Sequence, residues 1–98
     1  MTWAVEFHPL VRDLDLPALD QAARSRILKA VRAKLAVDPE AYGERLRAEL
    51  HGYWKLRVGE YRVIYEVRKN LVMVLVLKIG YRRDDEVYKQ MAKRLRKR

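Results

Sequence analysis

Residues Tyr53 to Val67, YWKLRVGEYRVIYEV, decide the fold. Two alternating runs meet at Gly59-Glu60, and glycine at the first turn position supplies the positive φ that a type II′ hairpin turn requires. A two-residue loop sets the register: Val58 faces Tyr61, Arg57 faces Arg62, Lys55 faces Ile64 and Trp54 faces Tyr65. Side chains alternate across a strand, so Trp54, Leu56, Val58, Tyr61, Val63 and Tyr65 share one face. Tyr53, Lys55, Arg57, Arg62, Ile64 and Glu66 share the other. One side is apolar and aromatic; the other gathers three cations.

Arg57 and Arg62 stand directly opposite each other, and like charges opposed across strands destabilise a hairpin. Solvation of an open sheet face hides that cost. The functional alternative is that a polyanion belongs between the cations. The hairpin alone leaves both readings open.

Downstream, Lys69-Asn70 marks a turn, because Asn tolerates left-handed backbone. Val72 to Ile79 is almost wholly apolar, the signature of a central strand covered on both faces. Its uniformity hides its register, so the spacing does not say whether Lys78 joins the cationic face. Gly80 is expected to end the strand, and Tyr81-Arg82-Arg83 follows. Asp84 or Asp85 is expected to cap a last helix, with Asp85 and Glu86 at its positive end and Lys97 and Arg98 at its negative end. Val87, Met91 and Leu95 form its apolar stripe, with Tyr88 and Ala92 beside it.

Upstream, Trp3 to Phe7 alternates as a first strand. Pro9 opens a short helix carrying Leu10, Val11 and Leu14 on one face, and Leu16-Pro17 breaks it. A longer helix is expected from Pro17 or Ala18 to Val37, with Leu19, Ala23, Ile27, Ala30, Val31 and Leu35 at helical spacing. Asp38-Pro39 ends it. In the mixed stretch 40–52, Leu46 and Leu50 are expected core anchors, and Gly52 lets the chain enter the hairpin. Trp54, Leu56, Val63 and Tyr65 should pack under the helical pair through Ile27, Val31 and Leu35. The order β-α-α-β-β-β-α gives an α+β fold with a small, mostly antiparallel sheet.

The 98 residues fit a single domain spanning 1–98. The chain has no cysteine, which excludes a disulfide framework and thiolate metal sites. The opening MTWAVEFHPL lacks a secretory pattern, and the longest apolar run, Leu71 to Leu77, is far too short to cross a bilayer. A cytoplasmic protein without membrane partners is the expectation. The net charge of +9 is polarised: residues 1–50 hold eight basic and eight acidic residues, and residues 51–98 hold fourteen basic and five acidic. Such a surface favours phosphate backbones.

The two histidines are far apart, and the acidic run Asp84-Asp85-Glu86 belongs to a helix N-terminus, so no metal site is expected. There is no Gly-rich phosphate loop and no Ser/His/Asp arrangement. Cations plus tyrosines remain. That set can bind a phosphodiester, and it can also cut RNA without a metal or cofactor. Something must take the 2′ proton, something must stabilise charge on the non-bridging oxygens, and something must protonate the departing 5′ oxygen. Arginines suit the second task. A lysine crowded by arginines has a lowered pKa and suits the first. A tyrosine can stack on a base or pass a proton.

Tyr53 to Val67, the strand ending LKIG, and Gly80 to Tyr88 (GYRRDDEVY) together resemble the RelE/ParE superfamily of type II toxins. The resemblance covers essentially the whole chain, including the helical pair and the Leu46-Arg47 segment. It implies a ribosome-dependent mRNA interferase, an endoribonuclease that cuts mRNA in the A site and inhibits translation. By position, Lys55 falls on the catalytic lysine, Arg57 on a flanking basic residue, Arg62 on the second-strand arginine, Arg82 on the arginine after the last strand and Tyr88 on the final-helix tyrosine. Tyr53, Arg83 and Lys78 are candidate RNA contacts around them. A second lysine of the RelE pattern is absent near Tyr53-Trp54, and Tyr81 stands where many relatives carry His. The resemblance also implies an acidic, RelB-like antitoxin in a toxin–antitoxin hetero-oligomer, with the ribosome and mRNA as further partners. The rival readings are a ParE-like inhibitor of DNA gyrase and a catalytically inactive basic RNA-binding homologue.

Overall fold

The computed structural model describes residues 2–96, the Asp84 side chain excepted. Five strands form one sheet in the order β1-β5-β4-β3-β2. They are β1 (Ala4–Phe7), β2 (Glu44–Arg45), β3 (Trp54–Val58), β4 (Tyr61–Arg68) and β5 (Met73–Tyr81). β1 runs parallel to β5; the other pairings are antiparallel. The hairpin register is the one the turn dictates, with Val58 opposite Tyr61, Arg57 opposite Arg62 and Trp54 opposite Tyr65. Gly59 takes φ 58° while Glu60 does not take a positive φ, as a type II′ turn requires.

The helices start and stop where their caps place them. A short helical stretch, Val11–Asp15, closes with the Leu16 amide donating to the Val11 carbonyl, a widened turn. The next helix, α1 (Gln21–Ala30), starts later than Pro17 or Ala18, because Asp20 is its cap: the side chain accepts from the Ala23 amide at 2.7 Å. Residues Pro17 and Ala18 turn instead. Helical backbone continues through Val31–Leu35, again with a widened turn in which the Ala36 amide reaches the Val31 carbonyl. Asp38-Pro39 does end that helix, but it also begins another, α2 (Pro39–Tyr42), with Asp38 accepting from the Ala41 amide and Pro39 at the first turn.

One sheet face lies under the first helices. Val11, Ile27, Val31 and Leu35 pack there against Leu56, Val58, Val63, Tyr65, Val74, Val76 and Ile79, with Trp54 at the edge. Tyr65 is fully buried, and its hydroxyl donates to the Pro39 carbonyl at 2.6 Å. Burial pushes the Tyr65 phenol well above its ordinary pKa. Leu56 is 2 % exposed at the centre of this layer. Leu56→Ala is therefore expected to cost about 2–5 kcal/mol, the range for a truncated buried leucine. Equilibrium urea unfolding measures it, and a loss below about 1 kcal/mol would contradict the packing described.

The opposite face is covered by α3 (Glu86–Arg96), whose Val87 and Met91 pack with Leu50, Ile64 and Leu77, flanked by Leu46, Tyr53, Tyr88 and Leu95. Gly80 does not end β5; it pairs with Arg62 inside the strand, which runs on through Tyr81. Its missing side chain lets α3 approach, since a Cβ there would lie 3.2 Å from Val87 Cγ2. The expected capping by Asp84 and the charge complementarity of Lys97 and Arg98 lie outside the described residues. Among the described residues, no helix is long and apolar enough to cross a membrane.

Candidate nucleic-acid site

The turn that sets the hairpin register also sets the site. Arg57 and Arg62 are opposed, and Lys55, opposite Ile64, lies on the same face two residues back. That face is the one α3 covers, so the final helix brings Tyr88 to it: Lys55 Nζ lies 5.6 Å from the Tyr88 ring centroid. At that distance a cation is attracted by the electron-rich face of the ring. Lys55, Arg57, Arg62 and Tyr88 thus occupy one side of the sheet.

Their partners differ. Arg57 Nε lies 3.2 Å from Glu44 Oε1 on the neighbouring strand β2, and both side chains are exposed. Arg62 is largely buried and turns toward the hairpin tip, where Nη1 donates to the carbonyls of Gly59 (2.9 Å) and Tyr61 (2.8 Å). Those carbonyl bonds, with the pairing of Arg57 to Glu44, offset the repulsion between the two guanidinium groups. Among the described residues, no carboxylate lies within ion-pair distance of Lys55 or Arg62.

Arg82 stands at the tip rather than over Lys55. Its amide donates to the Glu60 carbonyl at 3.0 Å, and its Nε donates to Glu60 Oε2 at 2.7 Å. The hydrogen bond and charge of Arg82, with a smaller effect from Arg62, hold the Glu60 carboxyl below its usual pKa. Glu60 in turn raises that of Arg82. Arg83 is exposed beside this pair, and Glu60, Arg82, Arg83 and Asp85 line a shallow cleft of about 380 Å³. Tyr81 turns to the other side of the strand and stacks on Tyr61, centroids 4.5 Å apart, with the hydroxyls 3.1 Å apart. That hydrogen bond, helped by burial, pushes the Tyr61 phenol up to about 12, so it stays neutral at physiological pH.

Two candidate RNA contacts have other roles. Lys78 is 6 % exposed, and its Nζ lies 3.0 Å from Asp15 Oδ1, so it is an interior ion-pair member rather than an RNA contact. Tyr53 is half-buried and packs against the apolar cluster under α3. Glu44, Glu60 and Arg26, whose guanidinium lies over Gly59, escape sequence reasoning. Nothing local marks Glu44 or Arg26. Glu60 could have been found, because the second residue of a tight turn necessarily projects beside the strand following the hairpin.

The sequence model of the ParE toxin of the type II toxin–antitoxin system parDE matches residues 7–86. The chain belongs to the RelE/ParE superfamily of type II toxins. Its relatives carry the RelE side of that name. Toxin RelG of Mycobacterium tuberculosis is 29 % identical over 84 residues, covering 86 % of this chain and 95 % of RelG. The M. tuberculosis toxin–antitoxin complex RelBE2 contains a chain that superimposes with a TM-score of 0.79 at 27 % identity, covering 84 % of this toxin and 93 % of that chain. The free E. coli toxin RelE, as a double arginine-to-alanine mutant, gives a TM-score of 0.69 at 28 % identity over 96 % of this toxin and 98 % of that chain.

Proposed function

We propose that this toxin is a ribosome-dependent mRNA endoribonuclease that cuts in the A site by attack of a 2′-hydroxyl on the adjacent phosphorus. The observation that carries the reading is the shared face of Lys55 and Arg62, neither with a carboxylate partner among the described residues, with Lys55 beside the Tyr88 ring. A half-buried cation without a counter-charge is costly, and the two carbonyls on Arg62 offset part of that cost without supplying a net negative charge. A phosphodiester laid along the hairpin face would complete both. In the step proposed, the 2′-oxygen forms a bond to phosphorus while Lys55 takes its proton. Arg62, with Arg57 at the rim, stabilises charge on the non-bridging oxygens. The bond from phosphorus to the 5′-oxygen breaks as the Tyr88 hydroxyl gives that oxygen a proton, later regained from water, leaving a cyclic phosphate and a 5′-hydroxyl, with Arg82 on the side of the departing oxygen. Tyr88 holds the amine of Lys55 and offers its hydroxyl to the substrate.

The resemblance to RelE-type members supports the ribosome and mRNA as partners, within the cytoplasm. The complex of the relative RelBE2, together with the net charge of +9, supports neutralisation by an acidic antitoxin in a hetero-oligomer. The matching family description names ParE, which favours gyrase as the second reading. Primer extension on a defined mRNA decides between them. Purified toxin with programmed ribosomes is expected to give A-site cuts that vanish without ribosomes and with Lys55→Ala. Loss of gyrase supercoiling at equal toxin concentration, with no cut on the ribosome, would replace this function by the second.

A further inference from the structure

Three side chains far apart in sequence meet at the edge of β5. β1 ends at Phe7, so the Ile79 amide has no strand partner on that side, and the Asp15 carboxylate takes its place, Oδ2 accepting at 2.9 Å. The same carboxylate accepts from Lys78 Nζ at 3.0 Å and from both terminal nitrogens of Arg94, at 2.9 and 2.7 Å. Arg94 Nη1 also donates to the Leu77 carbonyl at 3.0 Å. Asp15 and Lys78 are buried, and Arg94 nearly so.

This cluster controls more than attachment. The stripe of Val87, Met91 and Leu95 docks α3 on the sheet, but apolar contact is non-directional and leaves the helix free to roll about its axis. At 100° per residue, Tyr88 and Arg94 flank that stripe on opposite sides, about 9 Å apart along the axis. A cavity of about 810 Å³, lined in part by Leu10, Leu14, Met91 and Leu95, lies on the Arg94 flank, so there is space for such a roll. A bidentate, charge-assisted pair is directional and closes that freedom.

We propose that Arg94 and Asp15 are positioning residues for the candidate site: their bidentate pair fixes the roll of α3 and so holds Tyr88 over Lys55. The consequence for RNA cleavage rests on the function proposed above; the geometric claim does not.

Arg94→Gln tests it, because Asp15 keeps Lys78 and the Ile79 amide as partners. Arg96→Gln is the control, since Arg96 sits on the same helix in an exposed pair with Glu49 at 3.2 Å. The structural readout is the upfield ring-current shift that Tyr88 imposes on the Lys55 side-chain protons in NMR spectra, with Tyr88→Leu defining its absence. Arg94→Gln is expected to lose most of that shift and to lower kcat for cleavage roughly ten- to a hundredfold, with KM little changed, as a misplaced group does. Arg96→Gln should change neither. Arg94→Lys, which keeps the charge but not the fork, covers the case in which the first variant fails to fold, and should also lose most of the shift. A folded Arg94 variant that keeps the full ring-current shift overturns the proposal, whatever its melting temperature. If wild-type toxin cuts no mRNA, the function above falls, and the ring-current comparison still decides this inference.

Discussion

Arg82→Ala is expected to lower mRNA cleavage on the ribosome by about 10²–10³-fold, the usual cost of removing one electrostatic contact to a developing oxyanion. Arg82 follows the last strand and contributes nothing to either apolar cluster. Its side chain is exposed, and among the described residues its hydrogen bond goes to Glu60 through Nε, away from the terminal nitrogens that a phosphate would engage. Folding and antitoxin binding should therefore survive the change. Because Arg82 depresses the Glu60 pKa, the pair is intact at neutral pH and is lost only as acid protonates Glu60. Primer extension on mRNA from cells producing each variant, with growth arrest scored in parallel, is the measurement. A variant that stays fully toxic, beside a wild type that leaves no cuts, would point to a protein target such as gyrase.

Asp15→Ala is expected to destabilise the fold by about 3–5 kcal/mol, the cost of removing one partner from a buried ion pair. The change strands Lys78 and Arg94 in the interior and leaves the Ile79 amide without its acceptor. Each loss alone is costly, because a buried charge or amide gives up its hydration and gains no partner in exchange. Urea unfolding followed by far-UV circular dichroism measures it. The triple replacement of Asp15, Lys78 and Arg94 by apolar residues of similar volume should recover much of the loss, since it removes the stranded charges as well as the bonds. A loss under about 1 kcal/mol for Asp15→Ala would mean that water reaches these groups.

Much of this was legible from local chemistry. The Gly59-Glu60 turn dictated the register, and strict alternation then assigned both faces, so Leu56 in the core and Lys55 beside Arg57 and Arg62 followed from spacing alone. The stripe on α3 likewise announced a docked helix with Tyr88 at its flank. Lys78 could not be read in the same way. Alternation from Val74 and Val76 would turn it toward α1, but the register slips between Ile64 and Tyr65, opposite Val76 and Lys78, and an unpaired Leu77 intervenes. Lys78 therefore emerges on the α3 side, where Asp15, from the opposite end of the chain, neutralises it. Which cations stay at the surface and which are spent inside also depended on partners brought by tertiary contact: Glu44 for Arg57, Glu60 for Arg82 and Asp15 for Arg94. Alternation and turn geometry act over a few residues and are written in the local sequence. A bulge, a free strand edge and the choice of counter-ion are settled only when distant segments compete for the same hydrogen bonds in the folded chain.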